Sequence, residues 1–237
     1  MQSTRAVSVV PLDDGGDGQQ TTVFETGDVA LTRTRLAPGE ATDWDTRGDR
    51  DAYGYVLAGQ LRLVTTDGGE DAVAAAAGAF VHAPAAVGRW VENPGPDELV
   101  VLTAFVESAR AQSAASPRVA GPDDLVPTAP LKNLTRLMPF PEAPVQQVRG
   151  HAEGRIESDW HHHGDNDVFG YVVAGEGYVE WGTGPDDRAL ARAGECFHVP
   201  AGLVHRDVNP SDDEQDYVLW LTGSDPRVVR VDGPESA

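Results

Sequence analysis

The sequence predicts an all-β chain folded as two tandem β-barrels, and three observations lead there. One is an internal repeat with a constant offset. Another is a series of short β-branched or aromatic runs set between Gly, Pro and Asp clusters. The third is the length of 237 residues, which suits two domains of roughly 110 residues each.

The repeat is sought early, because missing one misassigns a whole fold. Residues 44–59 align with 160–175 at an offset of 116, with 9 of 16 positions identical. Residues 78–94 align with 194–210 at the same offset without a gap. They keep Gly78/Gly194, His82/His198, Pro84/Pro200, Ala85/Ala201, Asn93/Asn209 and Pro94/Pro210.

The runs 55–57, 61–65, 100–105, 171–173, 178–181 and 217–221 read as strands, since β-branched and aromatic side chains fit a pleated surface. Asp67-Gly68-Gly69 and residues 182–186 read as hairpin ends. Evenly punctuated short strands suggest a barrel or sandwich, and helix should be scarce. The expected division is an N-terminal barrel over 1–107, an inter-domain linker rich in Pro and Ala over 108–144, and a C-terminal barrel over 145–237. Within the linker, 106–115 is expected to form a short helix, and 131–140 to pack across the outside of a barrel.

Composition removes several function classes. No apolar run approaches the roughly 18–20 residues that a membrane-spanning helix needs. Residues 1–18 lack the apolar stretch of a secretory signal, so the expected location is cytoplasmic. Cys196 is the single cysteine, which excludes an intrachain disulfide and a multi-thiolate metal site. The net charge of −20 disfavours nucleic acid and anionic membranes, whose phosphates require Lys and Arg. Asp outnumbers Glu and Lys132 is the sole lysine, a balance expected of an acidic, halophilic protein in concentrated salt.

Chemistry gathers at the histidines. In a strand, residues two apart share a face, so His161 and His163 point the same way. Asp167 follows closely enough to return to the same centre. His205 follows the turn 200–202, where proline fixes the approach and glycine allows the reversal. Imidazoles with a carboxylate suit one divalent transition metal (Fe, Mn, Ni, Co or Zn), and ligand type alone does not choose among them.

These residues resemble the cupin superfamily, whose motifs read G-x5-H-x-H-x3–4-E-x6-G and G-x5-P-x-G-x2-H-x3-N. Gly194, Pro200, Gly202, His205 and Asn209 meet the second in full. The first is met in part: Gly154 lies one position early, His161 and His163 fit, Asp167 stands where Glu is usual, and the step to Gly175 is one residue long. The resemblance implies two jelly-roll cupin barrels, a bicupin, and covers both halves without the linker. It implies His161, His163 and His205 as metal ligands, with Asp167 as a fourth ligand and catalytic base. The alternative is a three-histidine site in which the shorter Asp167 only orients an imidazole.

In the N-terminal half Asp45, Arg47 and Arg89 replace the three imidazoles, so that half should hold no such ion. Its arginines should pair with Asp45 and Asp51, or else receive a carboxylate or phosphate ligand. His82 and His198 persist in both halves and read as structural. His162 should face away from the site, Trp44 and Trp160 should shield the barrel mouths, and Tyr55 and Tyr171 should pack. Cys196 reads as a buried apolar side chain.

The function this implies is a metal-dependent enzyme acting on a small oxygen-rich molecule, with a dioxygenase as one reaction class. The alternative is a non-catalytic small-molecule binder or sensor. Expected partners are a small-molecule substrate or ligand, and the chain should be a monomer or homodimer.

Overall fold

The structure is a computed structural model that describes residues 6–15, 19–43, 50–66, 70–85, 88–107, 116–225 and 227–234. Its regular structure is almost all strand; the helical pieces among the described residues are the two 3-10 turns Leu12–Gly15 and Pro122–Asp124. No helix among those residues is long and apolar enough to cross a membrane. Trp44, Asp45, Arg47 and the hairpin tip at 67–69 lie outside the described residues, as does 108–115 of the expected helix. Val106 lies in the strand Leu99–Glu107.

Two compact units form, one from 15–125 and the other from 1–14 together with 126–237. In the first unit a six-stranded sheet runs in the order Arg118–Ala120, Phe80–Ala83, Arg50–Ala58, Leu99–Glu107, Val29–Leu36 and Gln20–Glu25. A three-stranded sheet, Glu70–Ala76, Gln60–Thr66 and Gly88–Glu92, completes it. Leu36, Val56, Leu61, Leu99 and Val101 form its core.

In the second unit the order is Ser8–Pro11, Glu195–Val199, Val168–Ala174, Gln215–Leu221, Gln146–Ala152, Leu134–Met138 and Val126–Pro127. Its companion sheet is Ile156–Glu157, Arg206–Asn209, Glu176–Glu180 and Arg188–Arg192. Val148, Val172, Val199, Leu219 and Leu221 lie in its core.

The expected cuts through the linker are therefore displaced. Arg118–Ala120 pairs with Phe80–Ala83 and finishes the first unit's sheet. Leu134–Met138 does not pack across the outside of a barrel; it is a strand hydrogen-bonded to Gln146–Ala152. Ser8–Pro11 pairs along Glu195–Val199, so the N-terminal segment belongs to the second unit. An unpaired strand edge leaves donors and acceptors open, and these short segments occupy such edges.

The repeat reaches into local geometry. β-Bulges fall at Val56/Ala58 and Val172/Ala174, and Gly59 and Gly175 follow at φ 77° and 75°. A Cβ on either glycine would meet a main-chain oxygen, of Glu98 at 2.5 Å or of Glu214 at 2.3 Å. Both the left-handed backbone and the close approach require glycine there.

Candidate metal centre

The two motifs meet through a pair of backbone hydrogen bonds. His161 N donates to His205 O at 2.8 Å and His205 N to His161 O at 2.8 Å, an isolated antiparallel bridge. A hydrogen-bonded pair holds its side chains on one face, and the strand alternation brings His163 to that face as well. The ring centroids lie 4.4 Å apart for His161 and His205, 4.9 Å for His161 and His163, and 5.1 Å for His163 and His205.

Each ring is held by its Nδ1. His161 Nδ1 lies 2.9 Å from Asp159 O, His163 Nδ1 2.6 Å from Arg227 O, and His205 Nδ1 2.8 Å from Leu203 O. A carbonyl only accepts, so each Nδ1 carries the proton and each Nε2 keeps its lone pair. His161 Nε2 is buried and finds no hydrogen-bond partner among the described residues. Burial, and then the neighbouring His205, push His161 down to about 4. Burial likewise holds His163 well below the ordinary imidazole value and lowers His205. All three rings are neutral at pH 7, the form that binds a metal ion.

Among the described residues, these three histidines are the one cluster of three or more metal-ligating side chains with donor atoms all within 4.8 Å of one another. One buried ring nitrogen without a partner, with two more imidazoles converging on it, fits a transition-metal ion.

Asp167 does not join them. Its Oδ1 lies 2.7 Å from His198 Nε2 and accepts from Ala201 N at 3.3 Å, while the His198 ring stacks on Phe169 at 4.8 Å. The first unit repeats the arrangement 116 residues earlier. Asp51 Oδ1 accepts from Ala85 N at 2.8 Å and lies 3.5 Å from His82 Nε2, and His82 stacks on Tyr53 at 4.5 Å. Asp167 is thus placed as a strut that ties the strand Val168–Ala174 to the turn ahead of His205.

A carboxylate that does reach the imidazoles is that of Asp207, whose Oδ2 lies 3.8 Å from His161 Nε2. Sequence reasoning missed it, although the i, i+2 spacing from His205 was the available signal. It also missed Arg136 and Tyr217, which line the same cavity. That cavity holds about 40 Å³ beside the imidazoles.

His162 is half-buried and accepts from Gly164 N at 3.0 Å. Trp160 packs under Arg206 at 5.1 Å, and Arg206 is tied to Glu180 and Glu157. Tyr55 packs on Phe80. Tyr171 is half-buried in its strand. Cys196 is fully buried, which pushes its thiol up to about 12.

The first unit encloses a larger cavity of about 310 Å³, lined by Leu61, Leu63, Val101, Phe105, Thr103 and Arg89 among others. The buried Arg89 guanidinium donates to the carbonyls of Arg50, Ala83 and Pro84 and lies over the Phe105 ring.

Comparison with solved structures places the chain beside oxalate decarboxylases. The formate complex of the Lactobacillus farciminis enzyme matches with a TM-score of 0.76 at 12% identity, covering 94% of this chain and 88% of that one. Bacillus subtilis oxalate decarboxylase at pH 4.6 matches with a TM-score of 0.70 at 11% identity, over 94% and 78%. A further structure of that Bacillus enzyme, described by its Mn(II) centres, gives 0.66 at 12% identity, over 90% and 74%. No curated protein matches the sequence. The cupin domain model matches residues 32–105 and 151–221, one stretch in each unit and more than half the chain. This chain, with its two antiparallel barrels and its repeated motifs, belongs to the cupin domain family.

Proposed function

We propose that the second barrel is a metal-dependent active site acting on a small oxygen-rich molecule. The observation that carries this is the common polarity of the three imidazoles: every Nδ1 is spent on a carbonyl, so every Nε2 is left for an ion. His161, His163 and His205 would hold it. Bound there, a divalent transition metal supplies Lewis acidity toward a substrate oxygen.

The chain's own groups do the rest. The carbonyls of Asp159, Leu203 and Arg227 keep the rings oriented, as outer partners of a metal site do. Asp207, beside His161 at the cavity wall, is the carboxylate available to accept and return a proton. Asp167 is engaged with His198 and Ala201 and supports the turn. The apolar lining from Val168, Val179, Ala191 and Leu219 limits water around the reacting atoms.

The reaction class is either oxygen-dependent cleavage or decarboxylation, and the fold likeness makes oxalate the first compound to assay. Purification without chelator followed by elemental analysis should return about one equivalent of transition metal. Changing His161, His163 and His205 together to Ala should abolish it. Oxygen uptake and carbon dioxide release, measured side by side, separate the two reaction classes. Protein that carries no ion and takes up none on titration with Mn, Fe, Co, Ni or Zn would defeat the reading.

A further inference from the structure

Arg136 sits on the strand Leu134–Met138, and 5% of it is exposed. None of its three guanidinium nitrogens has a hydrogen-bond partner among the described residues. A guanidinium is always charged and brings five N–H donors, so this is a costly arrangement unless something anionic completes it.

The side chain lines the cavity of the three imidazoles. Its charge acts against protonation of His161, His163 and His205, and Asp207 and Tyr217 act on it in turn. Register explains how it gets there. Arg136 stands opposite Gly150, and Gly150 opposite Tyr217, in one row across three strands. A Cβ on Gly150 would come within 2.0 Å of the Tyr217 ring, so the missing side chain lets the ring lie across the row.

We propose that Arg136 anchors the carboxylate of a small acid bound beside the three imidazoles. The inference rests on the cavity being the substrate chamber of the proposed enzyme, and it names the substrate class. The planar fork of the guanidinium matches a carboxylate through two parallel hydrogen bonds. The chemistry of the lining then divides the ligand. Its charged end meets Arg136, and its other oxygens face His161, His163 and His205. The cavity of about 40 Å³ has room for roughly three water-sized groups, which restricts the acid to a few heavy atoms.

The test uses calorimetry on the full chain, with the metal content of every sample measured by elemental analysis. The probes are oxalate and acetate, set against the uncharged oxamide and acetamide. Wild-type protein should bind the acids and ignore the amides. Arg136→Gln and Arg136→Met should keep the ion and lose acid affinity at least tenfold. Arg136→Met should also melt higher than wild type, because it removes an unpaired buried charge without leaving a hole.

Equal affinity for acids and amides would overturn the proposal. So would full acid affinity in Arg136→Gln, or ion-loaded wild type that binds no acid. If wild type carries no ion yet binds acids in an Arg136-dependent way, the metal reading fails and the anchor stands.

Discussion

Asp167 and Asp51 stand 116 residues apart and make the same contacts, each to a histidine and to a main-chain N–H. A residue kept in the barrel without the imidazoles has a task independent of an ion. Asp167→Ala should therefore lower the melting temperature while leaving metal content unchanged. Loss of a half-buried acceptor costs about 0.5–1.5 kcal/mol, or about 2–4 °C per kcal/mol for a chain of this size. Asp51→Ala should do the same to the first unit. Thermal melts with elemental analysis check both, and loss of the ion from Asp167→Ala would restore it as a ligand.

Comparing the two halves of the sequence marked His82 and His198 as structural, and the same comparison applied to Asp51 and Asp167 gives the strut. The three imidazoles were legible because their spacing encodes a shared face. Arg136 was not, because nothing local distinguishes a cavity arginine from a surface one. Only the register through Gly150 carries it inward.

Among the elements, the central strands were legible from β-branched runs and turn residues. The runs 55–57, 61–65, 100–105, 171–173 and 217–221 all lie within observed strands. Short edge strands were not, because three or four residues such as Ser8–Pro11 or Arg118–Ala120 have too little alternation to register. The segment Val229–Arg230 is of this kind, and it matters to the site. It pairs with His161–His162, Val231 N donates to Trp160 O, and Arg227 O holds His163 Nδ1. Deleting residues 227–237 removes that carbonyl and frees the ring. Metal affinity should fall about 10–100-fold, the usual effect of losing an outer partner. Competition with a chromogenic chelator measures it, and unchanged affinity would show that the segment is dispensable to the ion.

At the scale of the molecule, the duplicated fold carries two different interiors. One encloses a smaller cavity in which three imidazoles, Arg136 and Asp207 stand among apolar side chains, and the other a larger one with Arg89 in its lining. Neither difference is visible in composition, whereas the surface is. A net charge of −20 repels itself in dilute buffer, and salt screens that repulsion within a few ångströms at molar concentration. We expect the melting temperature to rise by several degrees between about 0.1 and 2 M salt. A flat or falling profile would count against adaptation to salt.

Cys196 lies sealed in its strand, its thiol held protonated far above neutral pH. A second cysteine installed anywhere on the exterior would thus be the sole reactive thiol in the native protein. Fluorophores or spin labels can be attached at chosen points to follow ligand entry, with the natural side chain left in place.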